Sequence, residues 1–169
     1  MKTLYMLSDK KTAYLLLGSN LGNREKLIAE ALALLEARVG EILQISGIYE
    51  TAAWGKTDQP GFLNLAIEID TVLDPSQLLE AVLKIESDLG RTRHEKWGSR
   101  LIDIDIIFYG EEIINQMEQL QIPHPEMQNR KFVLLPMAEI APTVIHPVLK
   151  KSVSELLDNL EDNLSVLRR

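Results

Sequence analysis

Hydrophobic residues in this chain recur with two periods, and the switches between them lay out the elements. The continuous apolar run from Ala13 to Leu17 reads as a buried strand. From Arg24 onward Leu27, Ile28, Ala31, Leu32, Leu34 and Leu35 recur at helical spacing, and the pattern ends near Val39-Gly40. Ile42 to Tyr49 reads as a second strand and Phe62 to Ile69 as a third, with Ile67 and Ile69 alternating against Glu68 and Asp70. Asp74-Pro75 supplies an N-cap and a first-turn proline for a helix whose stripe is Leu78, Val82, Ile85 and Leu89, with Gly90 at its C-terminal cap. Leu101 to Phe108 is rich in β-branched residues and predicts a fourth strand. Gly110-Glu-Glu then turns the chain into Ile113-Ile114, expected as a hairpin partner of that strand. Ile122-Pro-His-Pro125 fits only an edge or a loop. A short helical pattern over 128 to 140 is interrupted by Pro136, and Val153, Leu156, Leu157 and Leu160 predict a last amphipathic helix. This order predicts an α+β fold: a ferredoxin-like α/β sandwich, mainly antiparallel sheet with helices packed on it, plus an added hairpin and C-terminal helices.

Composition narrows the setting. A chain of 169 residues fits a single domain, 1–169, with residues 1–11 as a flexible extension ahead of the first core strand. Hydrophobic residues at 46% and charged residues at 25% are the balance of a soluble globular protein. The net charge of -7 argues against a general nucleic-acid binder, since it repels a phosphate backbone except where arginines concentrate. With no cysteine there is neither a disulfide nor a thiolate metal site, which suits a cytoplasmic protein. No apolar run approaches membrane-spanning length, and the N-terminus has too short an apolar stretch for a signal peptide.

The chemistry concentrates in Arg91 to Gly110, a basic loop running into the fourth strand. Side chains at i and i+2 of a strand share a face, so Asp103 and Asp105 point one way and Ile102, Ile104 and Ile106 the other, into a core. Two carboxylates roughly 7 Å apart repel unless a cation sits between them. A pair of Mg²⁺ ions fits, because this ion binds through one or two carboxylates and completes its shell with water and phosphate. Arg91, Arg93 and Arg100 stand just upstream to meet phosphate oxygens. An isolated D-x-D is as readily a solvated acidic face; the adjoining arginines and Trp97 turn the balance toward phosphate chemistry.

Other features are less specific. Gly18-Ser-Asn-Leu-Gly-Asn23 lacks both a G-x-G-x-x-G and a P-loop lysine, so a tight turn capping a helix is its expected role. The connection from Glu50 to Gly61 is long for neighbouring strands, and such loops are usually functional or disordered. The three histidines are scattered, His94-Glu95 is not followed by the second histidine of a zinc helix, and His146 reads as structural.

Four segments nevertheless stand in an order and spacing that resemble one family. They are Ala13 to Asn23, Tyr49-Glu-Thr with Gln59-Pro-Gly-Phe-Leu-Asn64, Gly90-Arg-Thr-Arg with Trp97-Gly-Ser-Arg-Leu-Ile-Asp-Ile-Asp105, and Ile122-Pro-His-Pro-Glu-Met with Arg130-Lys-Phe132. Over residues 13 to 147 the chain resembles the 6-hydroxymethyl-7,8-dihydropterin pyrophosphokinases, which transfer diphosphate from ATP to a pterin alcohol in folate biosynthesis. The resemblance implies that Asp103 and Asp105 bind two Mg²⁺ ions and that Arg91 and Arg100 grip the phosphates as catalytic groups. It further implies nucleotide contacts from His124 and Arg130, with Glu86, Arg93 and Trp97 nearby, and a pterin pocket of Thr51, Phe62, Asn64 and Phe132. A cytoplasmic monomer acting on ATP and the pterin, without nucleic acid or membrane, is the corresponding expectation. For Phe62 and Phe132, residue pattern alone favours core packing, and for Asn64 a strand-end turn.

The sequence departs from the family pattern at Lys96-Trp-Gly-Ser-Arg100, where Arg-Trp-Gly-Pro-Arg is usual, and at Ala52-Ala53, where prolines commonly follow the threonine. Both changes loosen loops that the family uses as lids. Two rivals share the D-x-D signal or the fold: another Mg-dependent nucleotidyl or glycosyl transferase, and a non-catalytic ferredoxin-like ligand-binding module.

Overall fold

Strand β1, Lys11–Ser19, is central because it is apolar on both faces: Leu15 and Leu17 join one buried cluster and Leu16 another. The computed structural model describes residues 9–52, 61–90 and 101–169. In order the chain forms β1, α1 (Arg24–Arg38), β2 (Gly40–Ile45), β3 (Tyr49–Thr51), β4 (Phe62–Thr71), α2 (Pro75–Asp88) and β5 (Asp103–Tyr109). There follow β6 (Ile114–Asn115), β7 (Gln121–Ile122), α3 (Lys131–Ile140), α4 (Val153–Asp158) and β8 (Val166–Arg168). The main sheet runs β5-β1-β4-β3-β8, with β2 also paired to β4, and every pairing is antiparallel. This is the strand order of a ferredoxin-like sandwich whose second strand is broken in two.

Helices cover both faces. Ile28, Ala31 and Leu35 of α1 and Leu78, Val82 and Ile85 of α2 pack on one side, against Leu15, Leu17, Ile67 and Ile104. Val133, Leu134 and Met137 of α3 and Val153 and Leu156 of α4 pack on the other, against Leu16, Ala66 and Phe108. Each fully buried aliphatic side chain of this kind contributes roughly 1.5 to 3 kcal/mol relative to exposure. Helix α2 begins as its sequence predicts. Asp74 accepts from Gln77 N–H while Gln77 returns a bond to the Asp74 backbone, a reciprocal cap ahead of Pro75. Gly90 follows the helix at φ +94°, a conformation that favours glycine.

The alternation along β5 is as expected up to Ile106 and then changes phase. Tyr14 pairs with Phe108 and Leu15 with Ile106, so Ile107 is an extra residue bulged out of the ladder. Ile102, Ile104 and Ile106 therefore face the α1–α2 side, whereas Ile107 and Phe108 both face the α3–α4 side.

Several sequence expectations are corrected. The Ile113-Ile114 stretch does not pair with β5; Ile114 and Asn115 pair with Ile122 and Gln121 in a separate two-stranded sheet. The outer edge of β5 is taken by other groups, since Ile107 C=O accepts from His124 N–H and Ile104 N–H donates to Glu86. The single strand expected from Ile42 to Tyr49 breaks between Ile45 and Tyr49. There Ser46 bonds Ala66 through both its backbone and its hydroxyl, and Gly47 N–H donates to Glu139. Pro136 does not interrupt α3, which runs on to Ile140 with Pro136 buried. After the short helix α4, β8 extends the sheet, an element the sequence pattern did not predict. The fold of residues 1–8 and of most of the long connection, 53–60, lies outside the described residues.

Candidate active site

Helices α3 and α4 cover only part of their face of the sheet, and the strip they leave open carries the polar residues. Asp103 of β5 lies opposite Gly18 of β1, which in turn lies opposite Asn64 of β4. Gly18 has no side chain to separate the aspartate from the amide. A Cβ at Gly18 would lie 2.9 Å from Asn64 Oδ1, so glycine is required here by close approach. One register step along, Asp105 lies opposite Leu16. The start of β5 is fixed by Ser19, whose hydroxyl donates to Leu101 C=O at 2.5 Å. The turn after β1 plays the expected capping role: Asn23 accepts from Lys26 N–H at the head of α1, and Gly22 sits at φ +66°.

Two cavities meet at this strip. The larger, about 670 Å³, is lined by Thr51, Phe62, Asn64 and Phe132 together with Asp103, Asp105, His124 and Arg130. The second, about 620 Å³, is lined by Glu86, Ile104, Leu79, Leu83 and the β6–β7 connection, again with Asp103, Asp105 and His124. The aspartates and the histidine are thus common to both. All four residues expected around a pterin fall in one cavity, with Phe62 and Phe132 half-buried and Thr51 and Asn64 buried. Thr51 Oγ1 is buried and, among the described residues, finds no hydrogen-bond partner. Such an orphan hydroxyl in a cavity wall is a group waiting for a ligand atom.

The residues expected near a nucleotide divide. Glu86 and His124 reach the second cavity, whereas Arg130 lines the first, its guanidinium 5.8 Å from the centre of the Phe132 ring. Arg91, Arg93, Trp97 and Arg100 lie outside the described residues. Glu86 is fully buried, and its Oε1 accepts from Ile104 N–H at 2.7 Å, midway between the aspartates. His124 Nδ1 accepts from Glu126 N–H, which leaves Nε2 as the protonated nitrogen of the neutral ring. Burial pushes this imidazole below its ordinary value; Asp105 and Glu126 act against the shift and Arg130 with it. His146 is structural, as expected: its Nδ1 accepts from Val148 and Leu149 N–H and its ring meets Phe108 edge-on.

Residues that sequence reasoning passed over also line the larger cavity. Leu16 is visible in the sequence only as a strand residue, Gly18 only as the first residue of an expected turn though it lies in β1, and Ala52 only as a departure from a motif. Asp162 and Leu164 follow the last helix, in a stretch whose composition gives no signal of a site.

Among the described residues no group of three or more His, Cys, Asp or Glu side chains could cage a metal ion. The two β5 carboxylates at the junction of the cavities could hold only a hard cation that takes most of its ligands from water and phosphate.

Comparison with known proteins gives one consistent result. Residues 14–142 match the family model described as 7,8-dihydro-6-hydroxymethylpterin-pyrophosphokinase. A Bacillus subtilis 2-amino-4-hydroxy-6-hydroxymethyldihydropteridine pyrophosphokinase is 48% identical over 133 residues, covering 78% of this chain and 79% of that protein. The Aquifex aeolicus protein of the same name is 44% identical over 144 residues, covering 85% and 89%. The wild-type Plasmodium falciparum HPPK-DHPS crystal structure shares the fold, with a TM-score of 0.70 at 20% identity, over 88% of this chain and 44% of that longer one.

Proposed function

The chain belongs to the 7,8-dihydro-6-hydroxymethylpterin-pyrophosphokinase family, and from that premise we propose how its residues divide the work of the reaction. It is an ATP-dependent diphosphotransferase of folate biosynthesis, moving diphosphate from ATP to the hydroxymethyl group of 6-hydroxymethyl-7,8-dihydropterin. The larger cavity takes the pterin, with the heterocycle between Phe62 and Phe132 and its polar edge toward Asn64 and Thr51. The second takes the nucleotide. The observation that carries this division is that two cavities of substrate size share one wall, and that wall is Asp103, Asp105 and His124.

In the transfer the hydroxymethyl oxygen forms a bond to the β-phosphorus, the bond from that phosphorus to the oxygen bridging the α-phosphate breaks, and AMP leaves with the electron pair. Asp103 and Asp105 would hold two Mg²⁺ ions, which supply charge neutralisation of the phosphates and a more acidic substrate hydroxyl. The hydroxyl proton passes to water as the oxygen–phosphorus bond forms, and among the described residues no side chain is assigned as its base. Neutral His124 presents its Nε2–H as a donor to phosphate or ribose oxygens, and Arg130, stacked on Phe132, adds positive charge at the junction. Glu86 keeps β5 in place from the wall of the nucleotide cavity. Arg91 and Arg100 would close on the phosphates, with Arg93 and Trp97 beside the nucleotide.

A monomer of one domain is the working unit of this reading. ATP as co-substrate supports a cytoplasmic setting, and among the described residues no helix is long and apolar enough to cross a membrane. The decisive experiment supplies ATP, Mg²⁺ and the reduced pterin alcohol and identifies the nucleotide product. AMP is expected; pyrophosphate or a nucleoside diphosphate would indicate a different transfer.

A further inference from the structure

The stretch that follows α4 does more than close the fold. It contributes Asp162 and Leu164 to the lining of the larger cavity and then joins the sheet as β8, pairing Val166 with Thr51 and Arg168 with Tyr49. Within it, one carboxylate makes two backbone bonds. Asp162 Oδ2 accepts from Lys131 N–H at 3.1 Å, and Oδ1 accepts from Leu164 N–H at 2.9 Å. The first bond caps α3, whose own N-cap residue, Arg130, makes no side-chain capping bond. The second folds the segment so that Leu164, half-buried, lines the cavity.

Both ends of the stretch are held. Arg168 donates to Glu139 near the far end of α3, and Arg169 pairs with Glu25 and Glu50. Glu50 also takes Arg24, which in turn donates to Gly61 C=O, next to Phe62. The segment therefore ties together the helix start that carries Arg130 and Phe132 and the strand ends that carry Thr51 and Phe62. It lies beyond residue 142, where the family match ends.

We infer that Asp162 and Leu164 determine recognition of the heterocyclic substrate. Leu164 is an apolar wall of its cavity, and Asp162 is a positioning residue that sets the start of α3 and with it the Phe132 ring. This rests on the assignment of the larger cavity to the pterin. Neither residue lines the second cavity, so the nucleotide meets neither directly and feels Asp162 only through Arg130.

The test is steady-state AMP release by the full chain, with each substrate varied in turn, for wild type, Asp162→Ala, Asp162→Asn, Leu164→Ala and Leu164→Met. Leu164→Ala should raise KM for the pterin about tenfold and leave KM for ATP unchanged, and Asp162→Ala should raise KM for the pterin about tenfold and KM for ATP by much less, through Arg130. Asp162→Asn, which still accepts one backbone bond, should recover part of the loss, and Leu164→Met most of it. A merely structural role would lower stability or kcat without separating the two KM values, and that result overturns the inference, as does an unchanged KM for both substrates. Should Asp162→Ala fail to fold, Leu164→Ala, at a half-buried position, decides the matter through the same two KM values. Wild type releasing AMP while all four variants match it would sink only this inference; wild type releasing none would remove the reading beneath it.

Discussion

Glu86, buried in helix α2, accepts the backbone N–H of Ile104 at 2.7 Å, so a carboxylate in the wall of the second cavity also holds the strand between the two aspartates. The residue's value lies in the backbone it holds. Replacing it with leucine leaves a buried N–H without its partner, at a cost of about 1 to 3 kcal/mol. Glu86→Leu should lower the free energy of unfolding in urea by that amount and reduce turnover, whereas Glu86→Gln, which keeps an acceptor oxygen, should retain most of both. Equal loss in the two variants would show that the charge, not the bond, matters.

Asp103→Asn and Asp105→Asn should abolish turnover while leaving thermal stability intact, because each removes a cation ligand from the face opposite the core. Loss of that charge stabilisation is worth several kcal/mol of barrier, about three orders of magnitude or more in rate. AMP release at near wild-type rates by either variant would end the two-ion reading.

Asn64→Ala and Phe132→Ala should weaken pterin binding much more than ATP binding. On the proposed assignment the amide meets the heterocycle's hydrogen-bonding edge, worth roughly 1 to 3 kcal/mol when its partners are left unpaired, and the ring supplies stacking. Calorimetry with each ligand separately is the check, and equal losses for both would mean the pocket is misassigned.

Gly18→Ala tests the contact between strands rather than a ligand. A methyl 2.9 Å from Asn64 Oδ1 must push the amide aside, so pterin affinity should fall about tenfold with the fold preserved. Unchanged affinity would show that Asn64 reads the substrate from another rotamer.

The pH dependence of stability follows from His146. Burial lowers its pKa, and protonating Nδ1 would break the bonds from Val148 and Leu149 N–H. The unfolded chain takes the proton first as pH falls, so its contribution is full above the ordinary value near 6.5 and is lost as pH drops toward the depressed folded value. Urea midpoints measured from pH 7.5 to 5 should decline, and His146→Asn, which cannot titrate but can still accept a bond, should flatten that slope. A slope unchanged by the substitution would assign it elsewhere, His124 being the next candidate.

Much of the site could be read from residue pattern because it rests on strand periodicity. Asp103 and Asp105 had to share a face, Ile102, Ile104 and Ile106 had to fill the other, and Asp74-Pro75 had to open a helix. What could not be read depends on competition for partners across the fold. Ile113-Ile114 is as good a hairpin partner as any until Glu86 and His124 claim the edge of β5. A three-residue strand such as Val166–Arg168 carries no period at all, and its place is decided by the open edge of β3. The unbroken apolar pattern from Ile42 to Tyr49 likewise conceals a break made by Ser46 and Glu139, a residue ninety positions away from the strand it interrupts.

The extra residue in β5 has a consequence for how this protein can vary. It works as a phase shifter, so the two halves of the strand are clocked separately. Losing one residue among Ile106, Ile107 and Phe108 would restore unbroken alternation, leaving Asp103 and Asp105 in step with Gly18 and Leu16 and Tyr109 in step with Ala13. The carboxylate half of the strand is thereby insulated from such a length change, and the damage would fall on packing against α3 and α4, which would lose one buried side chain.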